Sequence, residues 1–594
     1  MNEPTVDVLI ARARTEPQTG ITLAGADLRG KDLKGARFVA CDFSSADFSG
    51  ADLSGVVLAG CALPGAVFSG SRLVDAVLST SDLSGARLEG ADLTNASLEN
   101  VRLPGARLNE AILRGTSMAG ADLTGADLSG AILEEALLAN TQMGGCALGA
   151  ATFDRSVFIG SDLRGSKEFP QMVDRCRFDK ADLSGLDLSS RTFFGTSFRG
   201  ATLKGTRFQE AVLNQARFED AQLSGASFEK ASLGGSSFRG CDLGGLNLNH
   251  AALAGADFER ARLEASDLRG ADLRSANLSL ALLGGARLDG ARLGGCHFSR
   301  MNLAGMNFRG ADLEGANFSE GDLSKAVLAG ANLQGADFSR AVMKEADLGG
   351  ARLGRANLEK ADLSGADLRK ALLEDALLTD AALEGASFDG ADLTGVVLDK
   401  VDLTRVKLGR VRLARASLAD AVLKGMDLKG CDFTDADLAR ANLDGADLSE
   451  CSLTRAAFKG AGLAGAVLRK ARALQADFDQ AKLPGANLSD AVLRQSSLAE
   501  AKLDKANLGG ADLREAILKK AEARGATFAG ARAAYADFSH AILDGSDFSR
   551  ADLKGANLHA VEEKGTSWSD AQVKEARRTD RELLNAETWK PDSS

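Results

Sequence analysis

The sequence predicts an all-β chain wound into a four-sided spiral of stacked coils, and three observations lead to that fold class. Leu or Phe recurs in one register of every fifth residue from Leu23 to Leu558, as in the stretch CDFSSADFSGADLSG at residues 41–55. Ala, Ser or Cys usually stands two residues before the centre of a repeat, and Gly often stands two residues after it. Of the 27 Phe, all but Phe169 and Phe194 occupy central slots, and roughly half of those share one position modulo twenty. A helix cannot use a period of five, because five residues advance about 140° around its axis and scatter the leucines. A long strand cannot use it either, since its side chains alternate and successive centres would change face. What remains is a short extended stretch and a corner, repeated so that every centre points to a common axis.

The elements follow in order along the chain. Residues 1–20 read as an N-terminal helical cap, in which Val6, Leu9, Ile10 and Ala13 form one stripe after Thr5 and can lie on the first coil. Residues 21–560 are the repeats. Gly two places after the centre, as at Gly25, Gly50 and Gly55, suits a tight bend or positive φ. The small residue faces inward where room is limited, and the residues on either side of the centre face water. Twenty residues make one coil, so aromatic rings stack on one wall: Phe158, Phe178, Phe198, Phe218, Phe238 and Phe258, then Phe298, Phe318 and Phe338. Small centres at Ala473, Ala523 and Ala533 predict underfilled core and bends unless Leu474 or Tyr535 turns inward. Residues 561–594 read as a C-terminal segment, helical over 569–589, with Val573, Ala576, Leu583 and Leu584 available to cap the last coil or to mediate dimerisation.

The repeats ADLSG at 51–55, ADLTG at 121–125 and ANLDG at 441–445 resemble those of the pentapeptide-repeat family, whose pattern is A(D/N)Lxx. The resemblance implies a right-handed quadrilateral β-helix over residues 21–560. At about 4.8 Å per coil, some twenty-seven coils would give a rod roughly 130 Å long. It also implies two functions known among relatives: binding of type II topoisomerases through a likeness to DNA, and an accessory or adaptor part in type VI secretion. Matching the charge of DNA over that length would take on the order of seventy net negative charges. The chain carries a net charge of -11, with Arg and Lys mixed among the acidic residues.

Composition narrows the chemistry. The mild acidity argues against a nucleic-acid binder. No apolar run approaches a bilayer span and the first residues lack the order of a signal peptide, which leads to the expectation of a cytoplasmic protein. All eight Cys stand in the small inward slot and read as reduced packing residues; Cys41/Cys61 and Cys431/Cys451 stack one coil apart, with Cβ atoms held too far apart for a disulfide. GADLRGK at 25–31 imitates a phosphate-binding loop, but Asp32 stands where Ser or Thr would hold magnesium. His540 and His559 lie nearly one coil apart and read as an exposed pair. No nucleophile with a placed base and no metal-ligand set emerges, so the expectation is a non-enzyme with no cofactor and no small-molecule substrate.

Three features stand out as candidate interaction sites. The first is the interruption at 166–175, SKEFPQMVDR, where Glu168 replaces a centre and Pro170 removes a donor; residues Glu168, Phe169, Pro170, Gln171 and Met172 are expected to bulge from the coil. The second is a basic belt at 396–415, where Val396, Val401, Val406 and Val411 fill the small slots of one coil while Lys400, Arg405, Lys407, Arg410, Arg412 and Arg415 face outward. The third is apolar: Ile112 and Ile132 in outward slots, with Leu137 on the adjoining side. Together these predict a rigid scaffold for protein partners, with a homodimer through the C-terminal segment as a further expectation.

Overall fold

The computed structural model describes residues 5–589. The chain divides into two compact units, Met1–Phe298 and Ser299–Ser594, each built almost wholly of stacked parallel coils. The first unit opens with helix α1 (Val6–Thr15), on which Ile10 and Ala13 are buried. The residue before each centre bridges the residue twenty positions on, as in Thr22↔Asp42 and Asp47↔Val67 in the first unit and Asp322↔Val342 in the second. Bridging widens into short strands in two places. One sheet joins β1 (Gln18–Thr19), β2 (Arg37–Val39) and β3 (Val57–Ala59). The other joins β4 (Ile132–Glu134), β5 (Thr152–Asp154), β6 (Met172–Asp174) and β7 (Thr192–Phe194), all parallel.

The corner explains why five residues suffice for a side. The amide after the corner donates back across it, as from Ala46 to the Phe43 carbonyl at 3.0 Å, which closes a β-turn. The third turn residue has positive φ: 61° at Gly50, but also 58° at Asn95 and at Lys180. Left-handed backbone costs a non-glycine residue about 1–2 kcal/mol. The ladder supports it, because the same corner amide donates to the coil above, as Lys180 does to the Arg199 carbonyl at 2.8 Å. Asp before the centre braces the bend from outside: the Asp42 carboxylate accepts from the Ser44 amide at 2.9 Å and from its hydroxyl at 2.5 Å. Four such corners per twenty residues make the coil four-sided.

Inside, the centres are buried and the small slot is selective for a reason of hydrogen bonding as well as volume. Thr116 donates to the Leu93 carbonyl at 2.9 Å, and Cys241 to the Phe218 carbonyl at 2.9 Å. A small residue with one donor therefore fits where Ala does. Phe158, Phe178, Phe198, Phe218, Phe238 and Phe258 form a continuous stack with centroids 4.7–5.5 Å apart. Phe298 is buried at the end of the first unit, and Phe318 stacks on Phe338 at 4.9 Å in the second. At the small centres neither Leu474 nor Tyr535 turns inward; both are exposed, while the ladder continues through Ala473, Ala523 and Ala533. In the coil with two Ala centres, Phe528 and Phe538 are the other two, and their rings, 5.9 Å apart, fill the middle.

The C-terminal end departs from expectation. Coils continue to the bridge Asn557↔Arg577, so residues 569–580, expected as helix, are largely repeat backbone. Helix α2 covers only Arg581–Thr588, with Asp580 as its N-cap, and buries none of its residues. The last coil is closed by its own side chains. Its central slots hold Glu563, Trp568, Val573 and Arg578; Trp568 stacks on Phe548 at 4.7 Å, and Arg578 lies 5.1 Å from the Trp568 ring while pairing with Glu563 at 2.9 Å. An ion pair over an aromatic ring ends the apolar column where one more Leu would face water. Residues 1–4 and 590–594 of the expected terminal segments lie outside the described residues.

Candidate interaction surfaces

One wall of the first unit unites two of the features that looked separate in sequence. Ile112 bridges Ile132, and Ile132 pairs with Thr152 of β5. Strand β6 continues that sheet, and its Met172 pairs with Thr192, which in turn bridges Val212. The outward face of this wall thus runs Ile112, Ile132, Thr152, Met172, Thr192 and Val212. Met172 is 67% exposed, and Phe194, at the corner of the same wall, is 48% exposed. Around that corner Leu137 bridges Val157 and extends the apolar surface.

The interruption at 166–175 does not bulge as expected. Glu168 takes the left-handed conformation (φ 53°), turning the chain early, and the next residue enters the core in its place. Phe169 is buried, with its ring 5.8 Å from Phe153 and 6.1 Å from both Phe178 and Phe193. Pro170 is buried as well. Arg191 donates to the Phe169 carbonyl at 2.8 Å and Gln171 to the Ser190 carbonyl at 2.7 Å, which ties the irregular backbone to the next coil. Of the residues proposed there, Phe169 and Pro170 are core and only Glu168, Gln171 and Met172 face water.

The basic belt is also reshaped. Val396, Val406 and Val411 are buried and Val401 half-buried, so four valines occupy the small slots of one coil. Among the described residues no bridge joins Ala382 to Asp402 or Lys407 to Asp427, although Leu377↔Val397 and Asp402↔Val422 form on either side. The corner shifts by one residue, to Gly409 (φ 55°). A cleft of about 850 Å³ lies beside Val401, on another side of the coil, rimmed by Asp380, Glu384, Asp399, Lys400, Asp402 and Arg405. Three of the belt's arginines are paired: Arg405 with Glu384, Arg412 between Asp392 (3.6 Å) and Asp432 (3.5 Å), and Arg415 with Glu374 at 3.4 Å.

His540 and His559 do approach, with ring centroids 5.5 Å apart, but they are not the exposed pair expected. His559 is only 6% exposed, and both Nε2 atoms face the Glu587 carboxylate of α2.

The sequence pattern described as "Pentapeptide repeats (8 copies)" matches residues 19–55, 51–90, 91–130, 281–320, 322–359, 356–395, 397–435, 493–532 and 524–559, together more than half of the chain. The chain is a pentapeptide-repeat protein. A second pattern of the same kind, "Pentapeptide repeat region", matches residues 172–248, 219–288 and 431–508. No curated protein matches this pentapeptide-repeat protein. Among solved structures it is similar to full-length QnrB1, a plasmid-mediated fluoroquinolone resistance protein, at 22% identity over 30% of this chain and 92% of that one, with a TM-score of 0.27. It is also similar to HetL, a pentapeptide-repeat protein involved in heterocyst differentiation regulation from the cyanobacterium Nostoc, at 25% identity over 50% of this chain and 96% of that one, with a TM-score of 0.13.

The acids at the position before the centre are spent bracing corners or pairing with arginines, as Asp267 is with Arg269 at 2.5 Å. Burial pushes the thiols of Cys146, Cys176, Cys241 and Cys296 up to about 12, which disfavours their nucleophilic form. No helix among the described residues is long and apolar enough to cross a membrane. Sequence reasoning missed that Ile132 and Met172 share a wall, although their numbers differ by two coils. It also missed the cleft residues Asp380 and Glu384, and Glu587, for which periodicity carries no signal.

Proposed function

We propose that this protein is a non-enzymatic cytoplasmic scaffold that binds a protein partner through the apolar wall of its first unit. The observation that carries the reading is the alignment of Ile112, Ile132 and Met172 on one parallel wall, interrupted only by Thr152, with Phe194 at its corner. Scattered exposed apolar residues need no explanation, whereas a contiguous patch on a soluble surface marks a contact site. Flat β walls hold such residues in fixed register, so a partner meets a rigid array. The charged cleft near Arg405 supports a second, weaker contact.

The test is affinity capture with the full chain and three variants, Ile132→Asp, Met172→Asp and the control Gln142→Asp, which changes an exposed residue on a different wall. Partners retained by the control and lost with the first two support the reading. Capture indifferent to all three sinks it. The exposed Leu583 and Trp589 support a homodimer through the C-terminal segment, for which light scattering of the Leu583→Asp variant, monomeric against a dimeric parent, is the measurement.

A further inference from the structure

Helix α2 poses a physical problem. It has eight residues and buries none of them, while isolated helices shorter than about 12–15 residues are marginal in water. Something other than apolar packing must hold it against the coils. Its polar contacts converge on one place: His540 Nε2 lies 3.1 Å and His559 Nε2 3.2 Å from the same Glu587 oxygen, Oε2. The three potential ligand atoms all lie within 4.8 Å of one another. The histidines come from successive coils, joined where the His540 amide donates to the His559 carbonyl at 2.9 Å, so the ladder itself sets their spacing.

We propose that His540, His559 and Glu587 form a site for a divalent transition metal, Zn²⁺ being the best fit, which fastens α2 to the solenoid. Two imidazoles and a carboxylate are a donor set that zinc accepts, with water in the fourth position, and that magnesium and calcium disfavour. Ligands about 2.0–2.1 Å from a tetrahedral ion are about 3.3–3.4 Å from each other, close to both nitrogen–oxygen separations here. The metal-free arrangement has a defined proton state at His559. Its Nδ1 accepts from the Asp580 amide at 3.2 Å, so the neutral ring carries its proton on Nε2 and donates it to Glu587. Metal binding frees the Nε2 lone pair; that proton passes through solvent to Nδ1, and the Asp580 amide turns toward water. No net proton is released by His559 and no redox change occurs. The Asp580 hydrogen bond is what the metal displaces.

The experiment uses the full chain, stripped with chelator and titrated with ZnCl₂ by calorimetry, with Co²⁺ absorption as a probe of tetrahedral geometry. One ion per chain is expected. Outer-shell changes at metal sites already cost 10–100-fold in affinity, so His540→Gln and Glu587→Gln, which remove ligands, should each weaken binding by about 100-fold or more. His250→Gln and His297→Gln should leave it unchanged. Loading should slow exchange of the α2 amides while speeding that of Asp580. Glu587→Gln changes an exposed helix residue and leaves the coils intact, which circular dichroism verifies. Uptake of no ion, or uptake that survives His540→Gln and Glu587→Gln, overturns the proposal; so does a chain in which those variants loosen α2 but the parent takes up no metal, since the cluster is then a hydrogen-bonded clasp.

Discussion

Phe218 lies flat on Phe238, with ring centroids 4.7 Å apart and planes 1° from parallel. Phe218 is wholly buried and stacks on Phe198 on one side and Phe238 on the other, so a gap there cannot be closed by one neighbour without leaving another. Phe218→Ala should therefore lower stability by roughly 3–5 kcal/mol, and Phe218→Leu by less than about 1.5 kcal/mol. Because coils contact chiefly their neighbours, hydrogen exchange should show the loss concentrated around Phe198 and Phe238. Uniform loss across the first unit would contradict the column of local contacts.

Gly555 and Gly530 separate backbone strain from steric contact. Both have φ of 66°, but a Cβ on Gly555 would meet the Tyr535 ring at 2.6 Å while one on Gly530 meets nothing within 4 Å. Gly530→Ala should cost about 1 kcal/mol from backbone conformation alone. Gly555→Ala should cost more, and adding Tyr535→Ala should bring it back to the Gly530→Ala value. A double-mutant cycle in thermal denaturation measures this; a coupling of zero would show that the exposed ring simply swings aside.

The corner carboxylates predict acid sensitivity. The Ser54 hydroxyl bond, joined by Lys34, holds Asp52 down to about 2, and Ser44 and Ser49 lower Asp42 and Asp47. These folded values lie below the unfolded one of about 3.9, so the stabilisation is full above that pH and is lost as pH falls through the folded values. The melting temperature should be level from neutral pH to about 5 and drop between about pH 4 and 2. Asp52→Asn should shrink that drop; an unchanged profile would mean the bonds contribute nothing to stability.

The thiols predict the opposite limb. Desolvation raises Cys61 and Cys431 to about 11, above the unfolded value of about 8.5. Their contribution is full below the unfolded value and lost as pH rises through the folded ones. At pH 8 a thiol reagent should find almost none of the eight cysteines in the native chain and all eight after denaturation. Rapid labelling of native Cys146 would show that the coils open far more readily than their ladder implies.

The sequence by itself determined the coil. Leu at every fifth place, Gly or a braced residue at the corner and Phe at every twentieth leave one backbone solution, because each requirement is local and repeats without exception for long stretches. Tertiary structure decided everything that depends on how one irregular residue is absorbed. Glu168 breaks the register, yet whether the chain bulges or slips by one could not be told from SKEFPQMVDR; the core accepted Phe169, and the wall closed over with Met172 left outside. Val396, Val401, Val406 and Val411 filling the small slots of one coil could be read from the sequence, but the missing bridge from Ala382 to Asp402 and the cleft beside Arg405 could not. Glu587 met His540 and His559 because a helix outside the repeat folded back, and no period in the sequence encodes that return.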